Sequence, residues 1–234
     1  MNNILITICA RGGSKGVKGK NIREILGKPL IYYTIKQAKE WSKDTRIIVS
    51  TDSEEIAVFA RQFGAEVPFI RPAALATDTA AKVPVLRHAL NYCEEFYKEK
   101  YDCVMDLDVT SPVRKISDLE NSLKLFTKKN PKTLFSVVPA HRNPYFNMVE
   151  ETNDGKAVLS KKGDFVRRQD APKVYDMNAS IYIYDRDYLI NEENNSSISD
   201  NSIVYVMNEI SKDIDSETDF RFIEFLVKEG IISL

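Results

Sequence analysis

The chain has 234 residues and a formal net charge of −1, enough for one α/β domain with a core of its own and too short for a second full domain. Its 33 Lys and Arg are matched by 34 Asp and Glu, so a general nucleic-acid scaffold is excluded and any basic patch must be local. Apolar runs are short and broken by charge, which excludes a membrane span of about 20 residues, and residues 1–10 carry neither basic leader nor cleavage site, so a cytoplasmic, unprocessed chain is expected.

Asn3 to Ala10 reads as a buried strand, and Pro29 to Trp41 as a helix with Ile31, Ile35, Ala38 and Trp41 on one face. Between them lies ICARGGSKGVKGKN, residues 8–21, in which Arg11, Lys15, Lys18 and Lys20, with Arg23 just beyond, surround four glycines. Arg46 to Thr51 is a second strand, Ser53 to Phe63 a helix, and Glu66 to Phe69 a short third strand. A helix over Val83 to Tyr97 places Leu86, Ala89, Leu90, Cys93 and Phe96 at helical spacing, and Asp102 to Leu107 forms a strand ending in a polar loop. This alternation predicts an α/β fold, a Rossmann-like and mostly parallel sheet with helices on both faces. Cys9, Cys93 and Cys103 are odd in number and lack C-x-x-C spacing, which argues against a disulfide framework or a zinc site and for core thiols.

The pattern changes after Pro139. Residues 140–177 mix Asn, Pro, Gly and charge with short two-period stretches, Tyr145 to Val149 and Ala157 to Leu159, and read as a β-rich insertion with little core of its own. A second subunit is a reasonable surface for it to pack on, so the main domain is expected over 1–139 and 178–234 with an inserted dimerisation arm over 140–177. Strands resume at Ala179 to Tyr184 and Ser202 to Met207, and a last helix follows Ser216, with Asp219 three residues on as its capping-box partner.

Ligands of open α/β sheets sit beyond the carboxyl ends of the strands. The first exit, Arg11-Gly12-Gly13-Ser14-Lys15-Gly16, offers backbone N–H groups and mobile cations suited to a polyphosphate, although it has neither Walker A nor G-x-G-x-x-G spacing; a solvated basic turn is the plain alternative. Ser50-Thr51-Asp52-Ser53 suits a helix cap, Arg71 is a surface cation or a ligand contact, and Asp78 or Thr79 either caps a helix or faces the site. Asp106 and Asp108 end an apolar strand on the same side, so at least one must meet solvent, a cation or a metal. Asp213 and Asp215 also share one side, a spacing suited to Mg²⁺ or simply to the start of a helix.

Taken in order, ARGGSKGVKGKN (10–21), VSTDSEEIA (49–57), RPAALATDTA (71–80), DVTSPVR (108–114), RRQ (167–169), NASIYIY (178–184) and DIDSETD (213–219) resemble the acylneuraminate cytidylyltransferase family, the CMP-sialic acid synthetases and their relatives. The resemblance spans nearly the whole chain and implies a nucleotide-diphosphosugar transferase-like fold, CTP and a nonulosonic acid sugar as substrates, Mg²⁺ as cofactor, a homodimer, and no nucleic-acid or membrane partner. It implies that Arg11 and Lys20 neutralise the triphosphate, with Ala10, Gly12, Gly13, Ser14, Lys15 and Asn21 placing the nucleotide and Arg71, Asp78 and Thr79 helping to hold it. It further implies that Asp213 and Asp215 bind the metal, that Asp215 with Arg11 and Lys20 forms the catalytic group, and that Asp108, Thr110, Ser111, Arg168, Gln169 and Asn178 line the sugar side. His88 and His141 fit poorly as bases and are expected to be structural.

The chain departs from the resemblance at two points. The sialic acid enzymes usually read Q-P-T-S-P-L-R where this chain has Asp108-Val109-Thr110-Ser111-Pro112-Val113-Arg114, and they often carry serine where it has Lys82. Asp108 in place of a neutral amide changes sugar recognition or metal ligation, and with the CARGGSKGVK start it points to legionaminic acid over N-acetylneuraminic acid as acceptor. Transfer to an octulosonic acid or a sugar phosphate is the alternative chemistry, and a nucleotide-binding regulator without turnover the alternative class.

Overall fold

A computed structural model describes residues 3–13, 16–165, 167–207, 210 and 212–234, and of Arg168 the main chain only. In chain order it has β1 (Ile4–Cys9), β2 (Glu24–Ile25), β3 (Lys28–Pro29), α1 (Leu30–Trp41), β4 (Arg46–Ser50), α2 (Glu54–Gln62), α3 (Lys82–Tyr97) and β5 (Cys103–Leu107). These are followed by α4 (Ile116–Lys129), β6 (Thr133–Pro139), β7 (Val149–Glu151), β8 (Ala157–Leu159), β9 (Tyr175–Asp185), α5 (Arg186–Ile190), β10 (Ser202–Val206) and α6 (Glu217–Lys228). The central sheet runs β10-β6-β9-β5-β1-β4, parallel between β1 and its neighbours β4 and β5 and between β10 and β6, while β9 runs antiparallel to both β5 and β6.

The apolar runs of the inner strands follow from burial on both faces. In β1, Ile4, Ile6 and Ile8 face the core that includes α1 and α6, and Leu5 faces the one built with Leu86, Ala89, Leu90 and Cys93 of α3. The sheet and its flanking helices are those expected from the alternation. The segment 115–139, which carries no motif in the sequence, supplies α4 and the inner strand β6. Glu66 to Phe69 does not form the expected third strand: Glu66 makes one parallel bridge to Ile48, and Pro68, with no N–H to give, stops the ladder there.

Of the excursion after Pro139, the described part holds one small hairpin, β7 paired with β8, and Tyr145 lies in a turn before it. All six hairpin residues are exposed, among them Val149, Val158 and Leu159. The returning strand β9 begins earlier than expected and pairs with the end of β6 through a register shift between Phe135 and Val137. Ala179, opposite this irregularity, has a left-handed φ of 51°, so the strand is re-aimed beside the loop that follows β5. The capping box of α6 forms as expected, Ser216 accepting from the Asp219 N–H while the Asp219 carboxylate accepts from the Ser216 N–H. No helix among the described residues is long and apolar enough to cross a membrane.

Candidate active site

The first strand delivers the glycine loop to the carboxyl edge of the sheet. Ala10 is fully buried and continues the β1–β4 pairing through its N–H to Ser50, and the Gly12 N–H donates to Asp52 Oδ1 at 2.9 Å. Asp52 therefore ties the loop to the second exit, while its neighbour Ser53 caps α2. Asn21 is buried and its amide donates to the Arg11 carbonyl at 2.9 Å, fixing the loop from its far end. The Arg11 guanidinium reaches Asp78 at 2.9 Å and the Thr77 carbonyl at 2.9 Å, both on the stretch leading into α3. Arg71 is buried, and its guanidinium is held by the Ser50 hydroxyl at 3.0 Å and by the Ser50 carbonyl.

The acids at the end of β5 are resolved by a cation from α3. Lys82 Nζ lies 2.8 Å from Asp106 Oδ2 and 2.7 Å from Asp108 Oδ2. Thr7, in register with Asp106 on the neighbouring strand, donates to Asp106 Oδ1 at 2.8 Å. Asp108 Oδ1 accepts from the Thr110 N–H at 3.3 Å and hydroxyl at 3.1 Å. Burial opposes charge on Lys82, but the two carboxylates outweigh it and hold the ammonium well above the usual lysine range. The same pairing overcomes burial at Asp108 and keeps its carboxyl below the usual range.

The acidic segment before α6 is sewn to both of these loops. The Ile214 N–H donates to the Thr110 carbonyl at 2.9 Å, and the Ile214 carbonyl accepts from Lys20 Nζ at 2.6 Å, with Asp215 3.6 Å from the same ammonium. Gly16 packs directly against the Asp215 carbonyl, where an added Cβ would overlap the oxygen, so glycine is required here by close approach. Asp213 is turned inward: its Oδ1 is buried with no hydrogen-bond partner, and burial raises its carboxyl above the usual aspartate range. A buried, unpartnered carboxylate oxygen beside a second acid fits an oxygen-seeking cation.

These loops enclose a cavity of about 370 Å³. Residues 5–226 match the family model described as cytidylyltransferase. The chain belongs to the cytidylyltransferase family. This cytidylyltransferase is 50% identical over 230 residues to the post-translational flagellin modification protein B of Campylobacter coli, covering 98% of this chain and 97% of that one. It is also 50% identical over 228 residues to the CMP-N,N'-diacetyllegionaminic acid synthase of Campylobacter jejuni, covering 97% and 96% of the two chains. A solved CMP:2-keto-3-deoxy-manno-octonic acid synthetase in complex with CTP shares its fold with a TM-score of 0.71, at 17% identity and over 97% of this chain and 99% of that one.

Of the residues singled out from the sequence, Arg11, Lys20, Asn21 and Arg71 line the cavity of this cytidylyltransferase on the cationic side, and Asp78, Asp108, Thr110 and Asp215 on the acidic side. Ala10, Gly12, Gly13, Thr79, Ser111 and Asp213 stand outside that lining. Asn178 is buried and spends its polar atoms within the fold: its side-chain oxygen accepts from Ser136 at 2.6 Å, its amide points to Met207 Sδ at 3.2 Å, and its carbonyl accepts from Ser111 at 2.7 Å. Gln169 is exposed in a short 3-10 turn, Arg168–Asp170. Ser14 and Lys15 lie outside the described residues, as does the Arg168 side chain. His88 packs edge-on to Phe69 with ring centres 4.8 Å apart and is pushed below the usual histidine range by burial. Cys93 and Cys103 are core thiols, raised by burial to about 12, whereas Cys9 stands half-buried in the cavity wall. The residues missed from the sequence are Gly16 as a packing position, Asp52 as the loop's anchor, and Lys82 as partner of both β5 acids. Only Lys82 carried a signal, its departure from the family pattern.

Proposed function

We propose that this cytidylyltransferase joins CTP to a nonulosonic acid of the legionaminic type, giving a CMP-sugar and pyrophosphate. The observation that carries the reading is the contact between the cationic loop and the acidic segment at one cavity, Lys20 Nζ on the Ile214 carbonyl at 2.6 Å and 3.6 Å from Asp215, which lines the cavity with it. The anomeric hydroxyl attacks the α-phosphorus of CTP, the new O–P bond forms as the bond to pyrophosphate breaks, and the hydroxyl proton leaves to solvent. Such a displacement needs alignment and charge neutralisation rather than a covalent side chain.

Arg11 and Lys20 would bind the triphosphate. Arg11 is one-third exposed and held by a solvated acid, so exchanging Asp78 for phosphate costs little. Asp213 and Asp215 would hold Mg²⁺, which when bound supplies charge neutralisation and an acidifying field at the attacking hydroxyl. Arg71, pinned beneath the second exit, and Asn21 would orient the nucleotide, while Thr110 would face the acceptor's side of the cavity. The C. jejuni relative's name supports the legionaminic acceptor. The exposed apolar hairpin supports a dimer, because an isolated two-stranded hairpin is marginal in water and gains from covering Val149 and its cross-strand partner Leu159. We place the reaction in the cytoplasm, where CTP is available. Pyrophosphate release with CTP and a panel of legionaminic, pseudaminic, N-acetylneuraminic and 3-deoxy-octulosonic acids tests the proposal. Highest kcat/KM with a legionaminic acid is expected, and turnover confined to the octulosonic acid or to a sugar 1-phosphate would refute it.

A further inference from the structure

Lys82 stands in the cavity wall but spends its charge inward. It is shared by two carboxylates, 2.8 Å from Asp106 and 2.7 Å from Asp108, which leaves this group one net negative charge and makes it a poor receptor for an anionic substrate. Every oxygen of the two carboxylates already has a donor: Lys82 on one side, Thr7 or Thr110 on the other. Both oxygens of Asp108 are thus engaged within the fold before any sugar arrives, and its orientation is set by the protein. Its main chain is fixed as well, the carbonyl accepting from buried Arg114 and from Thr34 at 3.4 Å.

From Asp108 the chain of contacts runs on to the acidic pair. The carboxylate caps both the N–H and the hydroxyl of Thr110; the Thr110 carbonyl accepts the Ile214 N–H at 2.9 Å; and Ile214, fully buried, is the residue between Asp213 and Asp215. We propose that Lys82 and Asp108 are positioning residues for the Asp213–Asp215 metal site: the Lys82–Asp108 ion pair sets the Thr110 turn, and Thr110 sets the register of the Ile214 peptide that aims the two acids. Outer contacts of this kind orient metal-binding carboxylates, and their loss typically weakens metal affinity by about 10- to 100-fold. The raised pKa of Lys82 agrees with this role, since an ammonium permanently charged at working pH holds one geometry. The proposal rests on Asp213 and Asp215 acting as the metal ligands.

The test is a Mn²⁺ titration of the full-length enzyme with CTP and no acceptor, followed by electron paramagnetic resonance, alongside steady-state KM values for CTP and sugar. Lys82→Met should weaken Mn²⁺ about tenfold or more, with KM for the sugar within about twofold of wild type. Lys82→Arg, which can bridge two carboxylates, should restore Mn²⁺ affinity to within about threefold. Unchanged Mn²⁺ affinity in Lys82→Met, or a sugar KM that rises while Mn²⁺ binding is untouched, would overturn the proposal. Where Lys82→Met fails to melt cooperatively, Asp108→Ala takes its place with the same expected loss and the same refuting outcomes. A wild-type enzyme that binds Mn²⁺ with CTP but turns over none of the sugars would count against the proposed acceptor alone.

Discussion

Gly16 offers the sharpest test of how the two halves of the site are joined. Its φ is not left-handed, so a substitution acts through space and not through backbone strain. An alanine Cβ would overlap the Asp215 carbonyl oxygen, far inside the 3.0 Å that such contacts keep, and would stand 3.2 Å from the carbonyl carbon. Both obstacles are backbone, so no side chain can rotate away, and relief requires the loop and the 213–215 segment to part by about 1 Å. A misplacement of about 1 Å typically costs about 100-fold in rate, or about 2.7 kcal/mol of barrier. Gly16→Ala is therefore expected to lower kcat for pyrophosphate release about 100-fold. The melting temperature should move by only a few degrees, because the loop is at the surface and no core contact is lost. Gly16→Ala with kcat within threefold of wild type would show that the loop and the acidic segment need not touch during turnover, and would refute their close approach as a requirement of catalysis.

Lys20→Ala should reduce kcat by about 100-fold or more through loss of one preorganised charge; near-normal turnover would remove Lys20 from the site. Asp215→Asn should shift the Mg²⁺ activation curve to higher concentration by about tenfold or more, and an unshifted curve would exclude Asp215 as a ligand. Exchanging Val149 and its cross-strand partner Leu159 together for Glu should convert a dimer to monomers in sedimentation velocity, and a wild-type chain that already sediments as a monomer would refute the dimerisation arm. Arg186 grips Glu94 with two hydrogen bonds of 2.7 Å, joining the start of α5 to α3, and holds its carboxyl below the usual value of 4.5. That stabilisation is present above the unfolded pKa and is lost as pH falls through the lower folded pKa. Glu94→Gln should thus cost about 2 kcal/mol in urea unfolding at pH 7 and progressively less toward pH 3, and a pH-independent difference would refute the assignment.

The strand exits were legible because their signals are local. A run of alternating or continuous apolar residues identifies β1, β4 and β5, and the placement rule for open sheets then turns each following loop into a site candidate. Short-range grammar worked at the helix starts too, as with Ser216 and Asp219. Where a residue's role depends on a distant contact, the sequence was silent. Gly16 looks like one more glycine of an anion loop, and nothing near it announces the Asp215 carbonyl that forbids a side chain. Asn178 is expected on the sugar side only from the resemblance, and nothing near it in the sequence announces that its polar atoms are taken by Ser136, Met207 and Ser111. In 115–139 the signal existed, with Leu119 and Phe126 about two helical turns apart on α4 and the apolar run of β6 after them, but no exit motif drew attention to it.

The two departures from the family pattern, Lys82 and Asp108, stand 26 residues apart and look in the sequence like independent clues to the sugar. In the fold they are the two ends of one ion pair, and their dependence on each other is unequal. Asp106 is wholly buried and its other donor, Thr7, is neutral, so the charge at Asp106 requires Lys82 whatever stands at 108. Asp108 is partly exposed at the cavity, where a neutral amide could still accept from Thr110. An acid at 108 is thus one way to fill the second bonding direction of a lysine that Asp106 already demands. Asp108 thus answers first to the Asp106–Lys82 pair behind it, and under the positioning role proposed above its influence on the substrates would pass through the Thr110 turn and the Ile214 peptide joined to it.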